Sequence, residues 1–208
     1  MWDKDWLIQS PKVSFAPNDK LFSMGEPIRY NYYLIDGICA KVLPSADGKD
    51  AILAYCEKGR MVGVHIKRQK AGSPFDFIAK TDCHCYKIPC EYIEQQIRTN
   101  NELCYQLLQE ASDDCDFWAT YYVTHFFGGS IAVLCLTLKS LAHENSDGSF
   151  SIPPLFSNVE LGKLCGIHTV SVSRLIGKLT REGILERKKE GIVIYDMERL
   201  SAYVKLGE

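Results

Sequence analysis

Residues 156–183 read FSNVELGKLCGIHTVSVSRLIGKLTREG, and this stretch holds two short helical patterns separated by a tight break. Ser157 and Glu160 have the spacing of a capping box, which opens a helix by satisfying its free N–H groups. Gly166 is placed to end that helix. Apolar residues then recur at helical spacing through the second half of the stretch. A helix, a glycine turn and a second helix form the arrangement in which the second helix can lie in the DNA major groove.

The exposed face of the predicted second helix carries residue types that read base pairs. Thr169, Val170, Ser173 and Arg174 lie near its start, where base edges would be reached. Arg174 can hold a guanine by two hydrogen bonds or can hold a phosphate. The alternative is an ordinary helical hairpin in a core, which would leave Arg174 in solvent. The agreement of cap, turn and polar face favours DNA recognition.

Residues 185–195 read LERKKEGIVIY, a pattern typical of a strand, a charged turn and a returning strand. The pattern places the turn at Glu190-Gly191 and would set Arg187, Lys188 and Lys189 beside the phosphate backbone. A two-stranded wing after the second helix completes a winged helix. The predicted DNA-contacting residues are therefore Ser157, His168, Thr169, Val170, Ser171, Ser173, Arg174, Lys178 and Lys188.

The run VSVSRLIGKLTREGIL, residues 170–185, closely resembles the recognition helix of Crp/Fnr-type bacterial transcription regulators, and IVIYD at 192–196 is similar to their wing. The resemblance implies an α+β chain with an N-terminal cyclic-nucleotide-binding-like β-roll, a long dimerisation helix and a C-terminal winged helix-turn-helix. It also implies a homodimer, an inverted-repeat operator in double-stranded DNA, a small-molecule effector, and RNA polymerase as a partner if the regulator is an activator. We place a β-roll effector-sensing domain at 1–98, the dimerisation helix at 99–127 and the winged-helix DNA-binding domain at 128–208.

The N-terminal half fits a β-roll. Residues 12–89 read as many short strands broken by turns, among them the Asp-Gly turns of a barrel or jelly roll. LIDGI at 34–38 and KGRMVG at 58–63 also resemble the family's roll.

The pattern becomes helical from Cys90 to about Phe127, with apolar residues on more than one side. Such a helix must be covered by something outside its own domain. The resemblance implies that its twin in a homodimer covers it, and a buried helix of a monomer is the alternative. Gly128-Gly129 breaks the pattern, and we place a hinge there, with Ser130 capping a further helix over 131–143.

Composition limits the other functions. The net charge of −2 provides no global basic field, although a local basic face is sufficient for DNA binding. Neither a signal peptide nor a bilayer-spanning run is present, so we expect a cytoplasmic protein without a membrane partner. The sequence contains no nucleophile–base constellation, phosphate loop or metal motif, so no enzymatic activity is predicted. The nine cysteines are expected to be thiols, and Cys83-His84-Cys85 with Cys90 has poor geometry for one metal, so no cofactor is predicted.

Family members that bind cyclic AMP have a Gly-Glu pair at the ribose and an Arg-Ser or Arg-Thr pair at the phosphate. Here Val64 stands where the glutamate would be, and Ser73-Pro74 stands at the Arg-Ser position. Valine accepts no hydrogen bond from a ribose hydroxyl, so we expect no cyclic nucleotide binding. No cysteine precedes Cys39, which disfavours the family's four-cysteine iron–sulfur cluster. Haem ligation by His65 or His84 stays open.

The resemblance also implies a pocket between the roll and the long helix, which could hold an effector other than a cyclic nucleotide. Its apolar walls with a few polar groups suit a small organic effector, aromatic or anionic. Lys67, Arg68 and Lys70 would add an anion site or form a solvated loop. His168 and Val170 together resemble the halorespiration regulators, which sense chlorinated phenols. The alternative trigger is thiol oxidation at a cysteine such as Cys115 or Cys83. The predicted effector-binding residues are Val64, His65, Phe75, Phe77, Asp113, Cys115, Asp116 and Trp118.

Val170 is predicted to shift the half-site preference from G·C toward A·T. Many family members have glutamate there, which accepts a hydrogen bond from cytosine, whereas valine methyls pack on a thymine methyl. One good polar pairing is worth about 1–3 kcal/mol of discrimination, roughly five- to a hundredfold. Selection from randomised duplexes should give TTAAT-like halves with the wild type and a G·C pair at that position with Val170→Glu. Recovery of the same G·C pair by both proteins would show that Val170 does not read the operator.

Overall fold

The computed structural model describes residues 7–45, 50–64 and 72–204, and the chain divides into two compact units, Met1–Ser112 and Asp113–Glu208. Each unit has its own core. The boundary between them falls inside one long helix.

The first unit contains eight strands in its described part, as the turn-rich sequence of residues 12–89 predicted. They form two four-stranded antiparallel sheets, one in the order β1-β8-β3-β6 and the other in the order β2-β7-β4-β5. The strands are β1 (Lys12–Phe15), β2 (Lys20–Phe22), β3 (Tyr30–Asp36), β4 (Ile38–Leu43), β5 (Ala51–Glu57), β6 (Met61–Val62), β7 (Asp76–Ala79) and β8 (Cys83–Pro89).

The two sheets enclose an apolar core that draws side chains from both of them. Phe22 lies at its centre, with its ring 5.2 Å from that of Tyr32 and 5.3 Å from that of Phe77. Alternate residues of β3 point to opposite faces, so that Tyr32 enters this core and Tyr33 enters a second cluster with Ile88 and residues of the following helices. Burial on both faces explains why β3 is almost continuously apolar.

Two helices follow the roll, α1 (Cys90–Thr99) and α2 (Asn101–Phe127). Asn100 separates them because its backbone is extended and its side-chain oxygen accepts a hydrogen bond from the Leu103 N–H at 3.0 Å. Inward residues of α2 are covered locally, Leu103 and Leu107 by the first unit and Thr124 by the second. The opposite face exposes large apolar side chains, among them Tyr105, Leu108, Tyr122 and Phe126.

The second unit is built on α3 (Gly129–Ser140), whose residues from Ala132 to Leu138 are all buried. A helix that is apolar all round belongs in a core, and α3 packs against three other helices of this unit. Those helices are α4 (Asn158–Cys165), α5 (Thr169–Arg181) and α6 (Met197–Ala202). A four-stranded sheet in the order β11-β12-β10-β9 completes the unit, with β9 (His143–Glu144), β10 (Phe150–Ile152), β11 (Leu185–Lys188) and β12 (Gly191–Ile194).

Several local expectations for this unit were wrong. Helix α3 begins at Gly129, so Ser130 lies inside the helix and does not cap it, and it ends three residues before His143, which belongs to β9. The wing turn occupies Lys189-Glu190, one residue earlier than predicted. The wing also pairs with β10, so that the sheet has four strands and not two. In the described ranges, no helix combines the length and the hydropathy that a membrane crossing requires.

Candidate DNA-binding face and effector site

The capping and turn residues predicted around α4 take the expected positions. The Ser157 hydroxyl oxygen accepts a hydrogen bond from the Glu160 N–H at 3.3 Å, and Gly166 ends the helix in the left-handed conformation at φ 65°. Gly162 is needed for a different reason, because a Cβ there would lie 2.8 Å from the Ile167 carbonyl oxygen. The turn between α4 and α5 is therefore tight.

Helix α5 opens with a cap that the sequence did not reveal. The His168 Nδ1 atom accepts a hydrogen bond from the Val170 N–H at 3.3 Å, so this histidine is the N-cap residue. Histidine is not among the preferred N-caps, and no sequence rule identified it. The inner face of α5 buries Val172, Ile176 and Leu179.

The outer face of α5 carries most of the predicted base-reading residues. Val170 is 68% exposed, and Ser173 and Arg174 are exposed as well. Arg174 makes no hydrogen bond or ion pair with another residue of the described ranges, so its guanidinium is available to a ligand. Thr169 and Ser171 are half-buried.

The two predicted lysine contacts are engaged within the protein. Lys178 lies 3.9 Å from a Glu182 carboxylate oxygen and 5.0 Å from the centre of the Tyr203 ring. Lys188 lies 3.5 Å from a Glu186 oxygen and 5.5 Å from the centre of the Tyr195 ring. These ion pairs are exposed and weak, so a phosphate can replace them.

Arg187 was predicted to lie beside the phosphate backbone, but its guanidinium is hydrogen-bonded within the second unit. Its guanidinium donates to the Asn158 Oδ1 atom at 2.8 Å and, at longer distance, to the Phe156 carbonyl oxygen. Arg187 thus joins β11 to the start of α4 and fixes the wing against the helix-turn-helix. A basic run in a wing predicts phosphate contacts, and the sequence does not indicate that Asn158 binds Arg187 instead.

Ser73 and Pro74 stand at the predicted position of the nucleotide phosphate, and neither residue is a cation. Ser73 is buried, and its hydroxyl donates to the Phe75 carbonyl oxygen at 2.5 Å. Pro74 has no N–H to offer. The nearby Asp76 is buried, with its carboxylate 2.7 Å from the Lys20 Nζ atom and 2.7 Å from the Met24 N–H group.

The Asp76 carboxyl is held in its charged form. Burial alone would raise its pKa, but the hydrogen bonds from Lys20 and from the Met24 N–H outweigh burial, and the pKa lies below its ordinary value. Lys20 is therefore paired with the Asp76 carboxylate, three residues after the predicted phosphate position at Ser73.

The predicted effector residues are distributed over both units. In the first unit, Val64 is half-buried against a cluster that contains Tyr33 and Met61, and Phe75 lies with its ring centre 4.3 Å from the Lys41 Nζ atom. Phe77 is only 2% exposed and serves the core. His65, Lys67, Arg68 and Lys70 lie outside the described residues.

The helix residues of the predicted effector site belong to the second unit. Asp113, Cys115 and Asp116 are exposed, and Trp118 is half-buried with its ring centre 5.7 Å from that of Phe117. Their role in effector binding stays a prediction. In the described ranges no three His, Cys, Asp or Glu side chains are grouped to hold a metal ion, and the exposed His84 has its Nδ1 atom 2.8 Å from the Ser14 hydroxyl.

Two family models match the chain. Residues 12–100 match the cyclic nucleotide-binding domain, and residues 132–203 match the Crp-like helix-turn-helix domain. The first match spans the two sheets and α1. The second runs from α3 to α6.

Curated and solved relatives extend over nearly the whole chain. The cAMP-activated global transcriptional regulator CRP of Salmonella typhimurium is 24% identical over 202 residues, which cover 92% of this chain and 93% of that protein. The structure of FixK2 from Bradyrhizobium japonicum has a TM-score of 0.80 at 16% identity and covers 96% of this chain and 99% of its own. The structure of CprK complexed with OCPA has a TM-score of 0.68 at 19% identity and covers 94% of this chain and 92% of its own.

The two sheets and α1 agree with the first family model, and the capped helix-turn-helix agrees with the second. The relatives cover both of these parts and the long helix between them. The chain belongs to the Crp/Fnr family of DNA-binding transcription regulators.

Proposed function

We propose that two copies of the chain form a regulator in which each α5 reads one half of an inverted-repeat operator. The observation that carries this proposal is the outer face of α5, where Val170, Ser173 and Arg174 are exposed and Arg174 has no partner among the residues that the structure describes. Arg174 is placed to contact a base, whereas Lys178 and Lys188 are placed for phosphates. Ser157, His168, Thr169 and Ser171 complete the proposed contact surface near the helix starts.

The exposed side of α2 supports the homodimer. Seven of its exposed positions follow one another in alternating steps of three and four residues, the repeat of about 3.5 that defines a coiled-coil seam. We call this set the α2 seam, and it consists of Tyr105, Leu108, Ser112, Cys115, Ala119, Tyr122 and Phe126. Large apolar groups stand at both ends of the seam and small ones at its middle. A second copy of α2 can cover the seam, since each seam residue then packs against the same residue of the other copy.

Tyr122→Glu is expected to dissociate the dimer, because the substitution buries an unpaired carboxylate in the seam. Sedimentation velocity should give a dimer for the wild type at micromolar concentration and a monomer for the variant. Thr120→Glu is the matched control, since Thr120 is exposed in the same turn of α2 but lies off the seam. Dissociation by both variants, or a monomeric wild type, would contradict the proposed interface.

The effector is proposed to be a small molecule other than cyclic AMP. Support comes from Val64, which cannot accept a ribose hydrogen bond, and from Ser73-Pro74, which has no arginine to meet a phosphate. Val64, His65, Phe75 and Phe77, with Asp113, Cys115, Asp116 and Trp118, are the proposed effector residues. An aromatic or anionic organic molecule is the proposed class.

Calorimetric titration with cyclic AMP is expected to give no binding at micromolar concentrations. The relative from Salmonella typhimurium, which is named as cAMP-activated, is the positive control. Micromolar affinity in this chain would show that the nucleotide phosphate can be held without the arginine. A thermal-shift screen of aromatic and anionic compounds then addresses the effector itself.

Thiol oxidation is the second candidate trigger, and one observation favours Cys115. Seven of the nine cysteines are buried or half-buried, while Cys104 and Cys115 are exposed. Burial raises the pKa of the Cys83 thiol, which disfavours its reactive thiolate. Cys115 lies in the middle of the α2 seam, where a symmetric dimer would place it opposite its twin.

Oxidation of the dimer with diamide is expected to link two chains through Cys115. Two thiols lose two protons and two electrons to form the disulfide, and diamide takes them up as it is reduced to the hydrazine. Non-reducing electrophoresis should show the linked dimer for the wild type and for Cys104→Ser but not for Cys115→Ser. Altered operator affinity after oxidation would favour a redox trigger, and unchanged affinity would leave the small-molecule effector as the trigger.

A further inference from the structure

Gly177 lies in the middle of α5, where neither the backbone conformation nor a neighbouring atom requires glycine. Glycine weakens a helix interior more than any other residue except proline, so its presence there calls for a compensating advantage. A Cβ built at Gly177 has no heavy atom within 4 Å, so no neighbouring element excludes a side chain.

This situation distinguishes Gly177 from every other glycine in the described ranges. Each of the others either has a positive φ or would place a Cβ within 3 Å of another atom. Gly128 and Gly162 are in the second class, at 2.7 Å and 2.8 Å. Among the glycines that the structure describes, Gly177 alone combines a helical backbone with open space.

The open space lies on the proposed DNA-reading face of α5. Gly177 follows Val170 by seven residues and Arg174 by three, and these spacings place all three on one side of a helix. Arg181, one turn later, donates from its Nε atom to the Gly177 carbonyl oxygen at 3.2 Å. That hydrogen bond uses the backbone and does not require the absence of a side chain.

We infer that Gly177 is a positioning residue for the operator, whose surface approaches the backbone of α5 at this point. Glycine is the residue of choice where a backbone comes close to a ligand. Without a Cβ at 177, α5 can lie deeper in the major groove, so that Val170 and Arg174 reach the base edges. This inference rests on the proposal that α5 is the operator-reading helix.

Gly177→Ala is expected to change stability and DNA binding in opposite directions. Better helix propensity should raise the Tm of the free protein by about 2–4 °C. Steric crowding at the DNA should weaken operator binding by about five- to a hundredfold. Gly177→Leu should show a similar rise in Tm and a larger loss of affinity, because leucine is also a good helix former but a longer side chain.

Thr180→Ala is the matched control. Thr180 is exposed in the same helix. It lies one turn after the buried Ile176, and its hydroxyl donates to the Ile176 carbonyl oxygen. Its replacement should raise the Tm and leave operator affinity unchanged. The probe is the duplex that the wild-type protein selects from randomised DNA, with affinity measured by fluorescence anisotropy.

Two different variants test the role of Gly177 and the proposed function of α5, so that the failure of one can be told from the failure of the other. Unchanged operator affinity of Gly177→Ala, or a lower Tm of its free form, would overturn the role of Gly177. Arg174→Ala tests the reading helix itself, and its failure to weaken specific binding would overturn the proposed function instead. A rise in Tm with a size-dependent loss of affinity supports the inference.

Discussion

The burial of one face of α5 is the constraint on which the proposed function depends. Val172, Ile176 and Leu179 are held in the core of the second unit, and burying each contributes about 1.5–3 kcal/mol. Because these residues fix the rotation of the helix, they also determine that Val170, Arg174 and Gly177 face outward. The tight turn at Gly162 and Gly166 and the hydrogen bonds of Arg187 hold α4 and the wing in register with that helix. The orientation of the proposed DNA-reading face is thus a consequence of core packing.

Much of this arrangement could be predicted from residues 156–195, since capping boxes, glycine C-caps and helical periodicity act over a few residues. Ser157 and Gly166 illustrate such local signals. The β9–β10 hairpin was missed because strands of two and three residues show no periodicity. The His168 cap and the contacts of Arg187 were missed for another reason, because they depend on geometry or on residues 29 and 31 positions away in the chain. The proposed effector residues have no local signal at all.

The fold of the β-roll and the chemistry of its proposed effector depend on different residues. The two sheets and their aromatic core are set by alternation and turn residues, which do not involve the nucleotide position. At that position Val64 and Ser73-Pro74 replace the Gly-Glu and Arg-Ser pairs expected of a cyclic AMP site, which is why the proposed effector is a different molecule. The family assignment therefore supports the fold and DNA binding, and the effector has to be inferred from this chain's own side chains.

Hydroxyl-radical footprinting of the wild-type protein on its selected duplex tests the central claim most directly. A symmetric dimer that inserts two copies of α5 should protect two half-sites centred about 10–10.5 base pairs apart, which is one helical turn. Replacement of thymine by uracil in either half-site, which removes the C5 methyl group from the major groove, should weaken binding if α5 reads that groove. A single protected segment, or binding indifferent to that replacement, would contradict the account.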